Sequence, residues 1–209
     1  MFELLPTLVF GAIAVFFAIR VYSALGRREG HMEPPPSHEQ GGAKSAAASG
    51  AVHLRPAFEG PAAAGLEAIA AADPGFEPER FVEGARMAYT MIVEAFARGE
   101  KDALRSLLST QVYDRYAEAI DGRVTRQEQV KTEIERIASA EIAEASHEDG
   151  LARVKVRFRA EIATETLDEK GERIAGDFSQ LSTVRENWIF ERRTDNSDPN
   201  WVLSGVATA

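Results

Sequence analysis

In the segment STVRENWIFERR (182–193), Glu186 has the same strand parity as Val184, Trp188 and Phe190. If that face is interior, an ionised carboxylate there needs a hydrogen-bonding partner or a raised pKa. Buried carboxyls of this kind move protons in some isomerases. A bulge or a strand end would place the same residue with no chemistry attached. Glu186 is the candidate cavity polar group. A second feature is the run LARVKVRFRAEI, in which Arg153, Lys155, Arg157 and Arg159 alternate with Ala152, Val154, Val156, Phe158 and Ala160. A period of two sets all four cations on one sheet face. They are candidate contacts for an acidic partner or an anionic lipid surface. The plainer alternative is a solvated face matched by acidic neighbours such as Glu141 and Glu144.

Other chemistry is sparse. The chain has no cysteine, which removes disulfides, thiolate zinc sites and cysteine nucleophiles. No Ser-His-Asp arrangement or metal-ligand spacing is present, so catalytic, cofactor and metal residues are all expected to be absent. His31, Glu33 and His38 lie in a stretch with the composition of a solvated tether. GGAKS (41–45) imitates a phosphate loop only superficially, since Ala43 precedes Lys44 and no strand leads into it. His147, beside a hairpin turn, is expected to face water. Trp201, next to the turn residues Asp198 and Pro199, is expected in the core.

The formal charge of the chain is −9. From Phe76 onward, 19 Lys/Arg stand against 26 Asp/Glu, or −7. This acidic balance argues against nucleic acid as a partner, because phosphate neutralisation requires a basic footprint.

The elements that must hold these residues begin with a hydrophobic run. Leu4 to Ile19 carries no charge, and Val21, Tyr22, Ala24 and Leu25 extend it past Arg20, which can snorkel to the headgroups. About twenty residues suit the ~30 Å hydrocarbon core of a bilayer. Only Glu3 precedes the run, whereas a cleavable signal peptide starts from a basic region. Residues 1–26 are therefore expected to be a transmembrane anchor. Arg20, Arg27 and Arg28 orient it, with the N-terminus out and the rest of the chain in the cytoplasm. Residues 27–65, rich in Pro, Gly and Ala and free of hydrophobic period, read as a flexible linker.

Residues 66–209 read as the folded domain. GLEAIAAAD (65–73) is a short lead-in helix ended by Pro74–Gly75, which either packs on the domain or contacts the membrane surface. Phe81, Ala85, Ala88, Tyr89, Ile92, Val93 and Phe96 recur at three- and four-residue intervals after Pro78, and Gly99 closes that helix. A shorter helix carries Leu104, Leu107 and Leu108, and Ser109 caps a third with Val112, Tyr116, Ala119 and Ile120 inward. The period then changes to two. IERIASAEIAEASH pairs with the basic strand through Glu148-Asp149-Gly150, a hydrophilic turn surrounds Asp168–Gly171, and STVRENWIFERR and WVLSGVATA complete the sheet. Helices followed by antiparallel strands define an α+β class.

From Asp73 to Val206 the chain resembles the C-terminal domain of the 44-kDa subunit of the mitochondrial inner-membrane translocase, and more closely its bacterial TimA-type relatives. The resemblance is carried by DPGFEPERFVEGARMAYTMIVEAFARGEKDALRSLLSTQVYDRYAEAI, ARVKVRF, ENWIFERR and SDPNWVL. It implies a cone-like domain of about three helices packed on a curved antiparallel sheet, similar to nuclear transport factor 2. It also implies a single-pass adaptor at the inner membrane, with the bilayer and components of translocation or assembly machinery as partners. Mitochondrial members recruit a heat-shock chaperone. This chain lacks their long charged N-terminal region and has the hydrophobic run in its place. A small-ligand or enzymatic cone domain and a peripheral anionic-lipid module are the other expectations left open.

Overall fold

The computed structural model describes residues 58–209. The expected anchor at 1–26, with Arg20, Arg27 and Arg28, and most of the expected linker lie outside these residues. Among the described residues, no helix is long and apolar enough to cross a membrane.

Four helices precede five strands: α1 (Ala63–Ala72), α2 (Pro78–Arg98), α3 (Lys101–Arg105), α4 (Thr110–Thr125), β1 (Gln129–Glu148), β2 (Leu151–Leu167), β3 (Arg173–Gly176), β4 (Ser182–Arg193) and β5 (Val202–Thr208). The sheet runs β1-β2-β4-β5, with β3 also paired to β2, and every pairing of strands is antiparallel. The helices cover one face of this sheet.

Local chemistry accounts for most of the boundaries. Pro78 opens α2, where its missing N–H has no helical partner to lose, and Glu79 sits near the positive end of the helix dipole. The apolar stripe Phe81, Ala85, Tyr89, Ile92 and Ala95 is buried, and Gly99 ends the helix in a left-handed conformation. The Ser109 hydroxyl caps α4 by accepting from the Val112 N–H at 3.4 Å. Leu107 and Leu108 fall just beyond α3 and clip the last strand. The Leu203 N–H donates to Leu107 O at 2.8 Å, the Ser109 N–H donates to Leu203 O at 2.9 Å, and Leu108 forms a parallel bridge with Leu203.

The turn between β1 and β2 has two residues, with Glu148 paired to Leu151. Asp149 (φ 49°) and Gly150 (φ 72°) both take positive φ, the geometry whose twist suits a two-residue hairpin. Three register shifts, at Ile134/Arg136, Ile137/Ser139 and Ile142/Glu144, bend β1 as it crosses the helices.

Besides Leu107 and Leu108, which were expected on the short helix and lie beyond it, three features differ from the sequence reading. α1 starts at Ala63, and Ala62 is already buried, although composition assigns both to the linker. β1 starts at Gln129, because the polar alternation Gln129, Lys131, Glu133 marks an exposed edge strand and not a loop. The hydrophilic stretch after Asp168 returns as the short strand β3. α1 lies against β1 through Leu66, Ile69 and Ala70. Its Gly65 meets the backbone at Ala145 so closely that an added Cβ would lie 1.8 Å from Ala145 O.

Candidate functional site

Glu186 points to the helix-covered face of β4, as its parity with Trp188 and Phe190 requires. The Trp188 Nε1–H donates to Glu186 Oε2 at 3.0 Å. The Tyr89 hydroxyl of α2 is a second hydrogen-bonding partner. Burial pushes the Glu186 carboxyl above the usual carboxylate range, and the Trp188 and Tyr89 donors only partly offset it. The same burial, with the Glu186 charge added to it, moves the Tyr89 and Tyr116 hydroxyls well above the usual phenol range.

A partly buried carboxyl with a raised pKa is suited to proton transfer when a substrate can reach it. Here both of its hydrogen-bonding partners belong to a packed aromatic cluster. Tyr89 stacks on Phe158 with ring centroids 4.7 Å apart and lies 4.6 Å from Trp188, while Phe158 meets Trp188 edge-on at 5.6 Å. Tyr89, Phe158 and Trp188 are each at most 2% exposed. Such a cluster stabilises the core by about 1.5–3 kcal/mol per buried ring and specifies how the helices sit on the sheet. Two surface clefts lie elsewhere. One of about 290 Å³ is lined by Arg98, Arg123, Val124 and Lys131, and one of about 240 Å³ by Glu191, Arg192, Asn196 and Asp198; neither includes Glu186.

The other side of the sheet carries Arg153, Lys155, Arg157 and Arg159 at alternate positions of β2, with Ala152, Val154, Val156, Phe158 and Ala160 buried on the inner face. The four cations divide into two groups. Arg153 is held by Glu191 across β4 at 2.6 Å, and Lys155 by Glu144 across β1 at 2.5 Å. Arg157 and Arg159 form no ion pair among the described residues, although Glu141 is the register partner of Arg157. Arg185 of β4, which the sequence did not mark, stands directly opposite Arg159. Its place depends on the β2–β4 register, which is set across a long connection and has no short-range sequence signal.

His147 is half-buried, and its Nε2 shares a 2.8 Å hydrogen bond with Thr194 Oγ1. Trp201 packs on Phe81 with centroids 4.8 Å apart, and the Arg192 guanidinium lies over its ring at 5.4 Å. Among the described residues, no group of three His, Asp or Glu side chains could hold a metal ion. The segment with His31, Glu33 and His38 is outside them.

The order of helices and strands, the filled aromatic interior and the charged outer face define an α+β domain of helices packed on an antiparallel sheet. The chain belongs to the Tim44-like domain family, whose model matches residues 62–208. No curated protein matches it. Solved structures similar to it include the intermembrane-space region of the chloroplast protein ARC6, at 9% identity and a TM-score of 0.45, covering 61% of this chain and 95% of that one. A nuclear transport factor 2-like superfamily protein from Salmonella enterica is 10% identical with a TM-score of 0.39, covering 64% of this chain and 92% of its own. A conserved protein from Planctomyces limnophilus is 14% identical with a TM-score of 0.37, covering 63% and 94%.

Proposed function

We propose that this protein is a membrane-tethered adaptor that binds partner proteins close to a translocation or membrane-assembly apparatus. The observation that carries this reading is membership of the Tim44-like family across residues 62–208. The hydrophobic run at 1–26 and its basic flank support a single-pass anchor in the inner membrane, with the domain on the cytoplasmic side. The tether between them lets the domain reach partners tens of ångströms from the bilayer. The role is a binding one and not a catalytic one. Glu186, the residue best suited to acid–base work, is engaged by Trp188 and Tyr89 of a packed aromatic cluster, and this weighs against an enzymatic or ligand-holding interior.

Crosslinking in intact membranes tests the reading, with the full chain compared to one lacking residues 1–26. The full chain should crosslink to components of translocation or assembly, and removal of the anchor should abolish those products. If the full chain yields no products beyond those of an unrelated domain on the same anchor, the adaptor reading fails.

A further inference from the structure

Ion pairing across this sheet follows the strand register. Lys131 lies opposite Glu165, Arg136 opposite Glu161, Lys155 opposite Glu144 and Arg153 opposite Glu191, and each of these couples forms a salt bridge. Arg159 and Arg185 break the rule, since two like charges face each other across β2 and β4. Direct opposition of like charges destabilises a sheet. Arg157, two residues along the same face, has Glu141 on one side and Asn187 on the other, and it too is without an ion pair among the described residues. Glu161, two residues from Arg159 on the same strand and within reach of its charge, is already engaged by both Nε and Nη2 of Arg136, at 2.8 and 2.7 Å. All three arginines are exposed. Asn187 is on the same face, and its side-chain oxygen is buried without a hydrogen bond.

The result is three guanidinium groups with unused donors on two neighbouring strands. Alternate residues of a strand lie roughly 6.6 Å apart and adjacent strands about 4.8 Å. Each guanidinium presents a planar fork that matches a carboxylate in a bidentate manner. We propose that Arg157, Arg159 and Arg185 form the docking surface for an acidic segment of a partner protein. Such a segment carries two or three Asp or Glu side chains roughly 5–7 Å apart, the spacing of i, i+4 positions on a helix. This assignment rests on the adaptor reading and names the chemistry of its partner. A short acidic segment fits better than a long polyanion or an anionic bilayer. A surface of that extent would also meet Glu133, Glu135, Glu141 and Glu144 of β1, all exposed, on a domain whose charge is negative.

The test uses the full chain in detergent and a fluorescent helical peptide with glutamates at i, i+4, read by anisotropy at low salt. Its glutamine counterpart is the control. The glutamate peptide should bind saturably and the glutamine peptide should not. Arg159→Ala with Arg185→Ala should weaken binding at least tenfold, whereas Arg153→Ala, which removes a residue already paired, should change it less than twofold. Arg185→Glu should abolish binding and raise Tm, because it places an acid opposite Arg159. Failure of the peptide to bind, undiminished binding by the double variant, or a lower Tm for Arg185→Glu overturns the assignment. So does arginine-dependent binding to phosphatidylglycerol vesicles or a single-stranded oligonucleotide when the peptide stays unbound. Membrane crosslinks that persist in the Arg159, Arg185 double variant reject this surface and leave the adaptor reading standing; their absence from the parent chain rejects the adaptor reading itself.

Discussion

Trp188 and Glu186, two residues apart on the inner face of β4, are joined by a 3.0 Å hydrogen bond from the indole Nε1 to the carboxylate Oε2. The bond stabilises a carboxyl in a setting that favours its neutral form, and the balance between those two effects makes Glu186 sensitive to pH.

Burial raises the Glu186 pKa above its ordinary value, against the opposing pull of Trp188 and Tyr89. The native state therefore keeps this proton at pH values where the unfolded chain has released it. By linkage, stability from this group is fully present below the ordinary carboxylate pKa, and it is lost as pH rises through the raised native one. Glu186→Gln removes that slope. Its Tm relative to the parent should be higher at pH 8 than at pH 4, the change falling between the ordinary and the raised carboxyl pKa, as measured by thermal melts across the series. A difference constant over that range would mean that Glu186 titrates as it does in water.

Tyr89→Phe keeps the ring against Phe158 and Trp188 and deletes only the hydroxyl that serves Glu186. Loss of a hydrogen bond to this partly buried carboxyl should cost about 1–3 kcal/mol at pH 7. The loss should be smaller in the Glu186→Gln background, where a neutral amide oxygen is the weaker acceptor, a coupling that urea denaturation of the four proteins would measure. Additive effects would show that the hydroxyl acts independently of the carboxyl.

Gly65→Ala would put a methyl group 1.8 Å from Ala145 O, and a backbone oxygen cannot turn away as a side chain would. The helix must lift from β1 or the strand must shift. We expect a loss of about 1–3 kcal/mol, the usual range for overpacking, with faster proteolytic cleavage within Ala63–Ala72. Protease sensitivity equal to the parent's would mean that α1 does not depend on this close contact.

Asp73, at the end of α1, pairs with Nη2 of Arg192 near the end of β4. The arginine side chain is only 13% exposed and lies over Trp201. Asp73→Ala leaves a largely buried guanidinium without its acceptor and should cost about 1.5–3 kcal/mol. Urea titration would read this as a lower midpoint with little change in slope. An unchanged midpoint would show that water replaces the carboxylate without penalty.

Much of this architecture was legible in the residues, since each local signal has a single physical cause. The stripe from Phe81 to Phe96 can bury one face only as a helix, and the alternation from Ala152 to Ile162 only as a strand. Asp149-Gly150 specifies a tight turn by its tolerance of positive φ. Parity put Glu186 on the face of Val184, Trp188 and Phe190 and left open whether that face was the interior. Arg185 was not legible, because its position opposite Arg159 depends on how β4 slides along β2. The turn chemistry between them leaves that register open, and the packing of Phe158, Trp188 and Phe190 under the helices settles it. The pairing of Arg153 to Glu191 and not to an acid on β1 was hidden for the same reason. β3 was missed because four residues of mixed polarity show no period long enough to detect.

The clip between Leu107, Leu108 and Leu203 also has a consequence for the order of events during synthesis. The loop after α3 obtains its backbone partners from β5, the last strand of the sheet. Polypeptide emerges at about 5–20 residues per second, so this loop waits several seconds with its N–H and C=O groups open before β5 arrives. Until then Leu108, whose side chain is buried in the finished protein, lacks the strand it bridges. A chain ending shortly before Leu203 would keep the loop without these partners, so the final strand acts as a latch between the helices and the sheet.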